Sequence, residues 1–330
     1  MPCATVHLHL ADRILDHWES RPGRAPFPAS HPGFRSAFLH GSLAPDMGFV
    51  PGVDRFVSEL AHYHAPADLT RGLFRRVRTP EAQAFAWGWA SHVIGDVILH
   101  PMVGRAVGER IHGDREIRMN AEEDLPTHVG MEVGLDLALL DRLDRISPPP
   151  PTPFFRDGDV ELLSGALEDT YGLSWAPRPL RESHRRAVRL TAWWPTAIGT
   201  LARAEARGWG PSGMTGAAVR MVRGVGRSLA RADSALRGFL RPLPPPSWLV
   251  DRVLALGDEI PERMDELVAM GPETMENRNL ETGEEAGPGR GHPPSDAVAA
   301  RVERLRDADP SSTSGPGPGP SRTVSGTPHW

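Results

Sequence analysis

Three side chains in the stretch SHVIGDVILHP, namely His92, Asp96 and His100, recur at every fourth residue. On an α-helix, residues at i, i+4 and i+8 share one face and are spaced about 6 Å along the axis. Imidazole and carboxylate are donors that zinc takes at bond lengths of about 2 Å. His92 and His100 would lie about 12 Å apart on that face, too far to hold a single ion. The row therefore asks for two ions, with Asp96 placed to serve one and bridge toward the other. A second row, in THVGMEVGLD, repeats the device with His128 and Glu132 at i and i+4 and Asp136 at i+8. His128 and Glu132 supply two donors to one ion, and His100 from a neighbouring helix can supply the third, with a position left open for water.

Helices are needed to hold such rows, and the apolar spacing supplies them. Apolar residues recur at helical intervals through the first 147 residues, and strand-like alternation is hard to find anywhere, so the expected class is all-α. Candidate helices are Thr5 to Trp18, Asp54 to His62, Ala67 to Val77, Pro80 to Met102 and Pro126 to Ile146. Thr79 followed by Pro80 and Glu81 reads as an N-cap, a proline at the first helical position and an acid in the first turn. Asp124 and Pro126 do the same for the next helix, and the prolines from Pro148 to Pro151 stop it. Gly130 and Gly134 cost helix stability by about 1 kcal/mol each relative to alanine, which makes sense if another helix approaches closely there. Further helices are expected at Asp159 to Tyr171, Leu180 to Arg207, Gly216 to Leu240 and Ser247 to Met270. From about Gly271 the composition turns to Gly, Pro, Ser and Glu, and the expectation is a disordered tail. The domain reading is a metal core at 1–147, an accessory helical region at 154–270 packed on it, and the tail at 271–330.

The histidine and carboxylate segments, taken in order, resemble the zinc-dependent phospholipase C family. That family also includes glycosylphosphatidylinositol-specific phospholipase D and is related to the trinuclear zinc single-strand nucleases. The resemblance rests on TVHLHLA at His7, FLHGSLAPD ending in Asp46, ELAHYH at His62, and AFAWGWASHVIGDVILHP followed by HVGMEVGLD. It covers about residues 5 to 140 and implies a multi-helix core of the phospholipase C and single-strand-nuclease type. Carried over residue by residue, it implies that Asp46, His62, His92 and Asp96 surround one zinc and that His100, His128 and Glu132 surround a second. His7 together with Asp96 would hold a third, so two or three zinc ions are expected. The implied activity is hydrolysis of a phospholipid or other phosphodiester by metal-activated water, with Asp46 orienting or deprotonating that water as the catalytic residue. Two features depart from secreted members of the family. No cleavage signal generates the processed N-terminus that completes their third site. Only three residues separate Asp96 from His100 where those enzymes have five, a spacing that matches the phospholipase D branch instead.

Other residues narrow the reading. His9 and His64 follow His7 and His62 at i+2, an offset that turns a helical side chain about 200° away, and the family pattern falls on His7 and His62. Trp87 and Trp89 could line a cleft beside His92, although large aromatic residues on a buried helix mostly fill volume. His31, His40, His112 and His184 have no partner pattern. All 37 basic residues are arginine, and between Arg178 and Arg241 there are 13 arginines against Glu182, Glu205 and Asp233. That stretch could contact an anionic membrane peripherally or nucleic-acid phosphate, or be a solvated helix surface. The single cysteine, Cys3, excludes thiolate zinc sites and an intramolecular disulfide and fits a reducing compartment. A net charge of −5 points to no particular partner, and no obligate protein partner is evident. No stretch approaches the roughly 20 apolar residues of a membrane span, and the N-terminus lacks the features of a secretory signal, so the expected location is cytoplasmic. Alternatives to the lipid phosphodiesterase are a hydrolase of single-stranded nucleic acid on the same metals, and a non-catalytic helical binding protein stabilised by them.

Overall fold

The computed structural model describes residues 4–49, 54–143, 157–175, 178–189, 242–286, 289 and 292–308. In chain order the helices are α1 (Ala4–Ser20), α2 (Pro32–Leu43), a 3-10 turn (Ala44–Gly48), α3 (Phe56–Tyr63), α4 (Pro66–Arg76), α5 (Pro80–His112), α6 (Leu125–Arg142) and α7 (Asp157–Tyr171). A helical stretch at 178–189, α8 (Ser247–Met270) and α9 (Pro293–Ala308) follow. Among the described residues there is no strand, and the isolated bridge between Arg278 and Glu285 lies in a turn. The protein is all-α. No helix among them is long and apolar enough to cross a membrane.

The long α5 is the axis of the molecule. It begins where the sequence places it, with the Thr79 hydroxyl accepting from the Ala82 N–H at 3.1 Å and Pro80 in the first turn. It runs past the expected end at Met102 and stops at Gly113, whose φ of +72° is a left-handed C-terminal cap that glycine adopts without steric cost. Pro101, inside the helix, has no N–H to donate to the Val97 carbonyl. The backbone at Gly283 approaches that carbonyl from a distant part of the chain.

The packing that matters most for function is between α2 and α5. A Cβ on Gly41 would run into the Phe85 carbonyl, and a Cβ on Gly88 would run into the Phe38 carbonyl. The two glycines thus let the helix backbones meet without intervening side chains. That closeness brings the Ser42 carbonyl, in the last turn of α2, within 2.9 Å of His92 Nδ1 on α5. Helix α1 completes the layer. Leu10, Ile14 and Trp18 are buried at helical spacing, and Trp18 meets Phe27 and Phe38 edge-on at 5.6 Å. The Trp18 indole N–H donates to Asp265 of α8 at 2.8 Å, which pins the two helices together. One apolar core runs through residues of α1, α5, α7, α8 and α9.

Several expectations need correction. The tail expected to be disordered from Gly271 is folded at 271–286 and 292–308, with Leu280, Val298 and Val302 buried in the core. Average composition hid a short apolar set that packs on a preformed surface; residues 309–330 lie outside the described residues. Helix α2 was not expected, because it is buried along its last seven residues and therefore lacks a polar stripe. The chain that approaches α6 at its glycines is the extended segment 242–246 rather than a helix: the Leu243 N–H donates to the Gly130 carbonyl at 2.8 Å, and a Cβ on Gly134 would strike the Leu243 carbonyl. α6 ends at Arg142 instead of Ile146. The expected helix at Leu180 to Arg207 is helical as far as residue 189; its remainder, the expected helix at Gly216 to Leu240 and most of the arginine-rich stretch lie outside the described residues.

Replacing Gly88 by alanine forces two helix backbones apart at a core contact, and such overpacking costs about 1–3 kcal/mol or more. Denaturant titration of Gly88→Ala should give a lower midpoint than wild type. An unchanged midpoint would mean that α2 and α5 do not meet at this glycine.

Candidate metal centre

Asp96 lies at the middle of the buried face of α5, fully inaccessible to solvent, with imidazoles on both sides. Its Oδ2 is 3.0 Å from His92 Nε2 and 3.3 Å from His62 Nε2. Its Oδ1 is 3.1 Å from His7 Nε2 and 3.5 Å from His100 Nε2. Asp46, delivered by the 3-10 turn after α2, adds Oδ1 at 3.1 Å from His62 Nε2. One donor atom from each of Asp46, His62, His92 and Asp96 falls within 4.8 Å of the others. His100, His128 and Glu132 form a second group by the same measure, with Glu132 Oε1 at 3.3 Å from His128 Nε2 and 3.6 Å from His100 Nε2. The two groups meet through Asp96 Oδ1.

His7 reaches the first group from α1. Its ring stacks on His92 at 3.9 Å, and its Nε2 is 3.9 Å from Asp46 Oδ2. The carboxylate of Asp136, at the end of the α6 row, does not point into either group. It accepts from the Thr5 and Val6 N–H groups at 2.9 and 3.3 Å, capping the first turn of α1 and so fixing the helix that carries His7. Burial pushes the Asp136 carboxyl up to about 7 despite those two donors.

The residues fit zinc on several independent observations. His92 Nδ1 lies 2.9 Å from the Ser42 carbonyl and His62 Nδ1 lies 2.7 Å from the Ser58 carbonyl. A carbonyl can only accept, so both Nδ1 atoms carry hydrogen, and in the neutral rings both Nε2 atoms present lone pairs to the cluster. Those two Nε2 atoms face each other at 3.4 Å, an arrangement that is repulsive unless a cation or proton lies between them. Both Asp96 oxygens and His7 Nε2 are buried without a hydrogen-bond partner, although they approach at 3.1 Å. Buried polar atoms are ordinarily satisfied, and atoms that converge without bonding each other are oriented as ligands of a shared centre.

The same geometry draws protons to the cluster. Burial lowers the pKa of His62, but the Asp46 and Asp96 carboxylates beside it outweigh that and raise the imidazole to about 10. The same carboxylates raise His7 against its burial. His92 moves the other way, lowered by burial more than Asp96 restores, and so keeps its lone pair. Burial would raise Asp46, yet the His92 and His62 imidazoles hold it below the usual carboxylate range.

The structure separates the ambiguous histidines. His9 turns toward α8, where its Nε2 abuts Gly257, and His64 stacks on Tyr171 at 5.7 Å. Neither approaches the donors. Trp87 and Trp89 are buried, with Trp87 edge-on to Phe74 at 4.7 Å, so they fill the core. His40 and His184, for which no partner was foreseen, form a buried pair at 3.2 Å between α2 and the 178–189 stretch.

A cavity of about 70 Å³ opens over the second group, lined by His100, His128 and Glu132 and, from the first, by Asp46. By the same measure a water needs roughly 10–15 Å³, so there is room for a few waters or a phosphoryl group. Its wall also contains residues that the sequence pattern does not point to, among them Phe49, Arg55, Tyr63 and, from the folded tail, Glu281. Burial would raise this carboxyl, but His292, His128 and the Ala121 N–H bring it down to about 2. Glu281 lies in a turn outside any helical row, so only the helix start at His292-Pro-Pro-Ser-Asp hinted that this region folds.

A family model described as zinc dependent phospholipase C matches residues 6–172, which is just over half of the chain and ends with α7. A curated protein of Archaeoglobus fulgidus, described as an uncharacterized protein, is 32% identical over 73 residues, covering 21% of this chain and 23% of that protein. The chain thus spans about a quarter of the length of the curated relative it matches. No solved structure matches.

The raised His62 sets a pH dependence. Its folded pKa of about 10 exceeds the ordinary 6.5, so its contribution to stability is fully present below 6.5 and is lost as pH rises through about 10. The melting temperature of chelator-treated protein should therefore fall between pH 7 and 10, and His62→Gln should flatten that slope. A melting temperature that rises over this range would contradict the assigned contacts.

Proposed function

The chain belongs to the zinc-dependent phospholipase C family, and from that membership and the ligand geometry we propose that it is a zinc-dependent phosphodiesterase acting on a phospholipid or related phosphodiester. The observation that carries the proposal is the shared Asp96 carboxylate, which has imidazoles converging on both oxygens and a partner for neither. In this reading Asp46, His62, His92 and Asp96 hold one zinc, His100, His128 and Glu132 a second, and His7 with Asp96 a third. Zinc bound in such sites supplies a water that is ionised near neutral pH and positive charge for phosphate oxygens.

The remaining work falls to the side chains. His92 and His62 are locked by backbone carbonyls, so they orient without rotating and lose little on binding. Asp46 belongs to the first group and also lines the cavity. Its carboxylate, ionised at neutral pH, is positioned to align the attacking water and accept its proton. Phe49, Leu125 and Val129 make the cavity wall apolar, which excludes bulk water and strengthens the electrostatic interactions inside. With about 70 Å³ available, the phosphoryl group enters and the bulk of a lipid stays outside.

Metal analysis and a substrate panel test this reading together. Wild-type protein should contain two or three zinc ions per chain, and His92→Ala and Glu132→Ala should each contain fewer. Wild type should release a phosphorylated headgroup from phospholipid vesicles, and Asp46→Asn should lower kcat by about 10²–10⁴, the usual contribution of a general base. Protein that holds zinc but turns over no phosphodiester would reject the activity. Cleavage of single-stranded DNA in place of lipid would move the assignment to the nuclease alternative.

A further inference from the structure

The folded tail reaches the metal centre, and it does so through a chain of specific bonds. The Leu280 N–H donates to the His62 carbonyl at 3.0 Å, seating the turn on the helix that carries a candidate ligand. Asn279 Oδ1 accepts from the Glu281 and Thr282 N–H groups at 2.9 and 3.1 Å, which fixes the direction of residue 281. The Glu281 side chain is then 3% exposed and lines the cavity with His100, His128 and Glu132. Its Oε1 accepts from the Ala121 N–H, and its Oε2 lies 3.3 Å from His292 Nε2.

The tautomer of His292 follows from its neighbours. The Ser295 N–H donates to His292 Nδ1 at 3.3 Å, in the manner of a helix N-cap at the start of α9. Nδ1 therefore carries the lone pair and Nε2 carries the hydrogen, which it donates to Glu281. Both Glu281 oxygens accept, an arrangement that favours the ionised carboxylate. A fixed negative charge is thereby built into the wall beside the second donor group, from a part of the chain more than 100 residues beyond the family match at 6–172.

We propose that Glu281 is a positioning residue of the metal centre: a carboxylate that α9 holds through His292 and that strengthens binding of the ion at His100, His128 and Glu132. This rests on the zinc reading above. The reason is electrostatic. Glu132 is the one carboxylate that group does not share, since Asp96 also serves the first group, so a further buried anion nearby stabilises a divalent cation there in a low dielectric. Outer partners of metal ligands typically change affinity by 10–100-fold when removed.

The test is zinc affinity by chelator competition, read separately from activity. Glu281→Gln removes the charge, and one of its amide atoms must then face a donor. It should weaken the second ion about tenfold, with the first unchanged. His292→Asn keeps an N-cap for α9 and removes the Nε2 donor; it should weaken the same ion by a smaller factor, and it decides the matter if Glu281→Gln does not fold. In a Glu132→Ala background, where the second site is already lost, Glu281→Gln should change zinc affinity by less than about twofold. Equal affinities for wild type and both variants would overturn the inference, as would an equal loss in the Glu132→Ala background. Wild type that binds no zinc at all would instead remove the zinc reading on which it stands.

Discussion

A carboxylate stripped of water on both oxygens costs several kcal/mol unless a cation meets it, and Asp96 is such a carboxylate. Four imidazoles, from α1, α3 and two turns of α5, are directed at it. The carboxylates raise the pKa of His62 to about 10 and that of His7 above its ordinary value, so protons are drawn to the same cluster. A zinc ion held by these residues would draw on the same oxygens in place of protons, which would link folding, proton release and metal binding through one side chain. The rest of the architecture can be understood as the scaffolding that keeps Asp96 dry and its imidazoles aimed.

That scaffolding is made of backbone as much as of side chains. Gly41 and Gly88 let α2 and α5 touch, and the carbonyl near the end of α2 becomes the partner of His92. Carbonyls in the last turn of a helix lack an intrahelical partner, which makes them natural outer supports for an imidazole. Ser58 plays the corresponding part for His62 within α3. Asp136 uses its carboxylate differently, as a cap on α1 at a distance of 130 residues in sequence, and so places His7. His92 and His7 are thus placed by elements other than their own helices, and His62 by a carbonyl one turn earlier in α3; such support is what a preorganised site requires.

The tail extends the same logic. It contributes no helix row of its own, yet it seats Leu280 under the core, covers the Val97 carbonyl exposed by Pro101, and brings Glu281 into the cavity wall. Compositionally this region looks like a linker. Its order comes from a few well-placed contacts: Asn277 capping α4, Asn279 closing the turn, His292 starting α9.

By itself the sequence determined what is local and periodic. The i, i+4 and i+8 rows on α5 and α6, the Thr79-Pro80 and Asp124 starts, and the bounds of Ser247–Met270 follow from helical spacing and capping chemistry, because these interactions span only a turn or two. The family pattern added Asp46, His7 and His62, which no periodicity could connect. Tertiary structure alone decided that His9 faces Gly257, that the chain crossing the α6 glycines is an extended segment, and that Asp136 caps a helix instead of joining the metal row. It alone decided that Glu281 belongs to the site. Each of these depends on which surfaces meet when distant segments pack, and a contact between residues far apart in the chain leaves no spacing for a sequence to display.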